Sequence, residues 1–165
     1  MKQSTKKRAG SKDALTLLAE DHKAVDKIFK QFEKLKKDGG DAEKAALVRS
    51  VCAALTVHAT IEEDIFYPAL YDAADAEDLL DEAEVEHATI KDLVSRLEEM
   101  MPTDELYDAT VLVLGEYVRH HVKEEEGEIF PKAKKAKMDL AALGERLMER
   151  KRSLDGETAA AAAAE

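Results

Sequence analysis

Twice in this chain a histidine is followed four residues later by a glutamate and then by an aromatic–proline step. The stretches are HATIEEDIFYP at 58–68 and HVKEEEGEIFP at 121–131. Residues four apart lie one above the other on a helix face, so His58 with Glu62, and His121 with Glu125, can each reach a single ion. His22 and His87 add two more imidazoles, and the offset between them is close to that between His58 and His121. Four imidazoles and two carboxylates are too many donors for a closed tetrahedral zinc site. They suit two metals, each held by two histidines, with both glutamates bridging. Nitrogen and oxygen ligation with spare coordination positions favours redox-active non-haem iron ahead of manganese or zinc.

These residues need helices to position them, and four amphipathic segments supply the helical period. The first carries Leu15, Leu18, Val25, Phe29 and Phe32 and stops at KKDGGD. The second carries Val48, Val51, Leu55 and Ile65, with Asp41 as its expected N-cap. The third carries Leu80, Ala83, Ile90, Val94 and Leu97 and stops at Met101-Pro102; the fourth opens near Thr103 and carries Val111, Leu114 and Val118. Spacings of three and four make each stripe the seam of a packed bundle. Every seam has a gap, and the gaps hold His22, His58 with Glu62, His87, and His121 with Glu125.

A lone histidine on an apolar face is more often a satisfied core residue than a ligand, and six polar residues in seam register form a buried network even without metal. Against that reading stands the cost of burial. An unpaired carboxylate in an apolar seam costs several kcal/mol, and no lysine or arginine shares the seam near either glutamate. A cation from outside resolves this.

Composition sets the frame. The chain has 165 residues, 45% of them hydrophobic, with few Gly and Pro and no Trp, which favours one all-α domain. A formal net charge of −11 argues against nucleic acid as a partner. The N-terminal MKQSTKKRAGSK runs the other way and reads as a disordered basic tail, residues 1–12. No apolar run approaches a membrane span and no signal-peptide pattern is present, so no membrane partner and a cytoplasmic location are expected. Cys52 stands alone and reads as a small buried hydrophobe. A short fifth helix using Leu140, Leu143 and Leu147 closes the domain at 13–152, and 153–165 is a low-complexity tail, frayed helix or disordered. Pro68 and Pro131 should kink or end their helices just beyond the polar cluster.

The pattern resembles the hemerythrin or HHE cation-binding domain family. The resemblance rests on a lone histidine, then H-x-x-x-E with F-Y-P, then a second lone histidine, then H-x-x-x-E with F-P, over about residues 14–132. It implies an up-down-up-down four-helix bundle, here with the additional C-terminal helix, around two iron ions with an oxo or hydroxo bridge. By position, the implied ligands are His22, His58, Glu62, His87, His121 and Glu125. Oxygen-carrying hemerythrins have a further histidine where this chain has Lys91 and a final aspartate where it has Glu126, so the likeness is closer to the broader HHE domains. The expected small ligand is dioxygen, peroxide or nitric oxide, bound by a carrier or consumed by a catalase- or peroxidase-like enzyme. The alternative is an iron-responsive or metal-stabilised structural or interaction module. A monomer or weak homo-oligomer is expected. Of the remaining residues, His120 reads as flanking or surface, Glu63 and Glu126 as solvated charges within reach of an imidazole, and Tyr67 as core.

Overall fold

The computed structural model describes residues 12–163, so the basic segment expected at 1–12 lies, Lys12 apart, outside the described residues. Helix α1 (Ala14–Asp38) opens at Asp13, whose carboxylate accepts the Thr16 N–H at 2.9 Å. Helix α2 (Asp41–Ile61) starts one residue earlier than its expected cap: Gly40 is the N-cap, and Asp41 sits in the first turn, where its charge opposes the helix dipole. It runs through a π turn (Glu62–Phe66) into α3 (Tyr67–Ala73). Helix α4 (Glu77–Glu99) follows. Helix α5 (Tyr107–Glu124) begins later than the expected Thr103, because Asp104 instead closes a turn, its carboxylate accepting the Met101 N–H at 2.8 Å. A second π turn (Glu125–Ile129) leads into α6 (Phe130–Lys135).

The rods pack in a ring, α1 beside α2 and α5, and α4 beside α2 and α5, as short connections between antiparallel neighbours require. The fifth helix, α7 (Leu140–Ala162), is longer than its leucine spacing indicated, because the alanine-rich segment continues it. It lies across α1 and α2. Gly144 makes this approach possible: a Cβ there would stand 2.3 Å from the Lys12 carbonyl oxygen and 2.9 Å from the Ala14 nitrogen.

Neither proline ends its helix at the cluster. The disturbance falls earlier, on the glutamates themselves. Tyr67 N–H donates to the Glu62 carbonyl and Phe130 N–H to the Glu125 carbonyl, five residues back in each case. This wider turn receives the Pro68 and Pro131 rings, which would crowd an ordinary α turn. It also shifts the seam by one residue. Phe66 is buried where the α period placed Ile65, which is only half-buried.

The core has two apolar compartments. One is built on Val25, Phe29, Phe32, Leu55, Ile90, Leu114 and Val118; the other on Leu18, Ile61, Phe66, Leu70, Phe130 and Leu147. Between them lies a layer of buried histidine and glutamate. Cys52 packs in the first compartment, where burial pushes its thiol up to about 11, as suits a packing residue. By length and composition alone the rod Asp41–Ala73 also passes for a membrane span, contrary to the sequence expectation. Its apolar side here faces the bundle.

Candidate metal centre

The polar layer brings His22, His58, Glu62, His87, His121 and Glu125 together, one histidine from each of α1, α2, α4 and α5 and one glutamate opening each π turn. All six are buried, both glutamates completely. Their donor atoms form two groups, His22, His58, Glu62 and Glu125 in one, and Glu62, His87 and His121 in the other. Glu62 spans the groups: one oxygen lies 3.0 Å from His58 Nε2 and the other 3.2 Å from His87 Nε2. Glu125 Oε2 lies 3.0 Å from His22 Nε2 and 3.8 Å from His121 Nε2.

Each imidazole is held from behind by a carboxylate at Nδ1. Glu126 serves His22 at 2.8 Å, Glu63 serves His87 at 2.8 Å, Glu86 serves His121 at 2.7 Å, and Asp21 serves His58 at a longer 3.4 Å. A carboxylate only accepts, so each Nδ1 carries the proton and donates. The acids follow the repeat. Asp21 and Glu86 immediately precede the lone histidines, and Glu63 and Glu126 immediately follow the seam glutamates. Such partners fix the tautomer and raise the basicity of the free nitrogen.

With Nδ1 protonated, every neutral ring turns an Nε2 lone pair inward. His22 and His58 then face each other Nε2 to Nε2 at 3.1 Å, and His87 and His121 do the same at 3.1 Å. Paired lone pairs at that distance repel unless a cation or proton lies between them. The carboxylates carry the same signature. Glu62 Oε1 and Glu125 Oε2 are buried without a hydrogen bond. Each is nonetheless 3.0 Å from an imidazole nitrogen, close in distance but wrong in angle. Donors that approach one another without bonding are aimed at a common third atom. The donor set therefore fits metal.

Without a cation the layer must hold protons instead. Burial alone would lower His58, but Glu62, with Asp21 and Glu125, raises it to about 10. Burial would raise Glu62, yet His58 and His87 hold it well below the usual carboxylate range. Glu125 moves up, by burial and by the charge of Glu62, despite His22 and His121. Two adjacent carboxylates cannot both be ionised cheaply.

Tyr67 belongs to the site rather than only to the core. Its hydroxyl donates toward Glu125 Oε1 at 3.1 Å and Glu62 Oε2 at 3.3 Å. Burial and the two glutamates keep the phenol well above its ordinary value, so it remains a donor. Its repeat counterpart Phe130 lacks the hydroxyl and stacks on His22, ring centroids 6.0 Å apart. Sequence reasoning also missed Asp21 and Glu86 as supports; the acid–histidine dipeptides at 21–22 and 86–87 were the available signal. Glu63 and Glu126 reach the imidazoles as well as solvent. His120 is exposed, its side chain 60% accessible, and stays out of the layer.

No curated protein sequence matches the chain significantly. Its fold is similar to the crystal structure of a hemerythrin HHE cation binding domain-containing protein from Mycobacterium kansasii. The TM-score is 0.74 at 26% identity, over 88% of this chain and 89% of that one. The family model for the hemerythrin HHE cation binding domain matches residues 13–133, which include every buried histidine and glutamate of the layer. The chain belongs to the hemerythrin HHE cation-binding domain family.

Proposed function

We propose that the chain is a non-haem di-iron protein whose buried layer engages a small oxidant, with peroxide consumption as its activity. The observation that carries this reading is a cavity of about 20 Å³ on the histidine side of the layer. It is lined by all four inward imidazoles together with Val25, Leu55, Ile90 and Val118. That volume accepts about one water-sized molecule, hence dioxygen, nitric oxide or peroxide but no organic substrate. Bound iron supplies open coordination positions and redox equivalents beside this cavity. His22 and His58 would hold one ion, His87 and His121 the other, with Glu62 and Glu125 shared. Iron is favoured over manganese or zinc by the imidazole-rich donor set with vacant positions.

The chain's own groups divide the remaining work. The apolar walls exclude bulk water on the cavity side. On the opposite side Tyr67 holds a proton against the shared carboxylates, within reach of a group that needs one. The test is metal analysis and an ultraviolet–visible spectrum of protein from iron-supplied cells, with peroxide consumption measured on the same sample. About two irons per chain and turnover are expected; one zinc, or no metal, would sink the reading.

A second reading has its own observation. Lys151 of α7 pairs with Asp21, which supports His58, so the fifth helix is tied to the layer. A metal-stabilised structural module would use that tie, and full metal content without turnover would favour it.

A further inference from the structure

The acids behind His58 and His121 are counterparts in the repeat, but they are neutralised differently. Asp21 accepts from Lys151, an ammonium brought by α7. Among the described residues no lysine or arginine pairs with Glu86. Glu86 faces instead a second histidine–glutamate pair. His120 Nε2 lies 3.2 Å from Glu86 Oε1 and 3.3 Å from Glu124 Oε1, and one donor atom from each of the three residues lies within 4.8 Å of the others.

His120 and Glu124 reproduce the four-residue spacing of His121 and Glu125 one position earlier, so α5 presents one such pair inward and one outward. The counterparts of the outward pair are Val57 and Ile61, which offer no donor. One half of the molecule thus has an acid with a lysine. The other has the same acid with a nitrogen and an oxygen donor where the cation would be.

We propose that Glu86, His120 and Glu124 form an outer site for a divalent first-row transition ion, separate from the buried layer. One imidazole with two carboxylates on an open surface leaves positions for water, a donor set suited to zinc or ferrous iron rather than calcium. Glu86 divides its two oxygens between the sites, Oε1 toward the outer donors and Oε2 accepting from His121 Nδ1 at 2.7 Å. An outer ion is therefore one carboxylate and one imidazole away from the buried donors. It occupies the place that Lys151 fills for the other half.

The test is calorimetric titration of zinc into the full chain as purified from metal-supplied cells, with the tightly held metal counted before and after. Wild type should take up one further zinc per chain without losing buried metal. His120→Ala should lose that zinc while keeping its buried metal and its melting temperature, and Glu124→Gln should weaken it. Absence of a further zinc in wild type, or uptake by His120→Ala equal to wild type, would overturn the proposal. A buried layer found without metal would defeat the di-iron reading, and the dependence on His120 would still decide this one.

Discussion

Lys91 is paired with Glu63, its ammonium nitrogen 2.7 and 2.6 Å from the two carboxylate oxygens, and Glu63 in turn accepts from His87 Nδ1. The lysine therefore faces away from the layer, half-exposed, at the position where oxygen carriers supply one more imidazole. Neither of the two donor groups gains an extra ligand from it. The reduced, iron-loaded protein should be oxidised rapidly by air with no long-lived oxygenated form. Stopped-flow mixing with dioxygen checks this, and a spectrum that reverses under vacuum would mark a carrier instead.

Neighbouring histidines should separate cleanly. His121→Ala removes a buried donor and should cost at least half of the tightly held metal. His120→Ala touches only an exposed ring and should leave that metal in place. Equal losses on elemental analysis would mean that the inward register is misassigned.

Removing metal should destabilise the fold. At a thousandfold excess over Kd, a ligand bound only by the native state contributes about 4 kcal/mol, on the order of 10 °C for a domain of this size. Melts with and without chelator measure the difference.

The metal-free protein should also depend on pH in a defined direction. His58 is raised from 6.5 to about 10, so its contribution is complete below 6.5 and is lost as pH rises toward 10. Glu62 is lowered from 4.5, so its contribution is present above 4.5 and is lost as pH falls through its lower folded value. Metal-bound imidazoles are neutral throughout. The gap between loaded and metal-free melting temperatures should therefore widen from about pH 6.5 toward 10.

Tyr67→Phe removes the donor shared by two buried carboxylates. Hydrogen bonds to charged groups are worth roughly 1.5–3 kcal/mol, and metal takes over part of that role. The variant should lower the metal-free melting temperature more than the loaded one. Equal effects would place the hydroxyl outside the charge balance of the layer.

Gly144→Ala should cost roughly 1–3 kcal/mol, because the added carbon meets backbone rather than a side chain that can move aside. Chemical denaturation measures it.

The six donors were legible because each interrupts an apolar stripe, and burial makes such an interruption costly. The all-helical bundle was legible for the same reason, from the stripes themselves. Of the supporting acids, Glu63 and Glu126 were legible only as solvated charges within reach of an imidazole, and Asp21 and Glu86 were not legible, because all four lie beside the stripes, where acids are ordinary solvated residues. Only the crossing of helices brings them onto a ring nitrogen. Tyr67 was read as core and is buried there, but its bond to the carboxylates was hidden for a different reason: only the wider turn after Glu62 brings its hydroxyl onto them. The length of α7 was hidden by composition, since a run of alanine reads alike as helix or as unstructured tail.

The π turns at Glu62–Phe66 and Glu125–Ile129 each hold one residue more than the α-helix around them needs. In effect each is a single-residue insertion absorbed without breaking the rod. Because one residue turns an α-helix by about 100°, the segments before and after each insertion obey different registers. Wound as an unbroken α-helix with every residue kept, the rod would swing Tyr67 off the carboxylates and Leu70 out of its compartment. A deletion of one residue inside 62–66 would instead remove the π turn and leave the segment beyond it facing as it does. At these two places the spacing of the chain, as much as the identity of its residues, sets what the layer can hold.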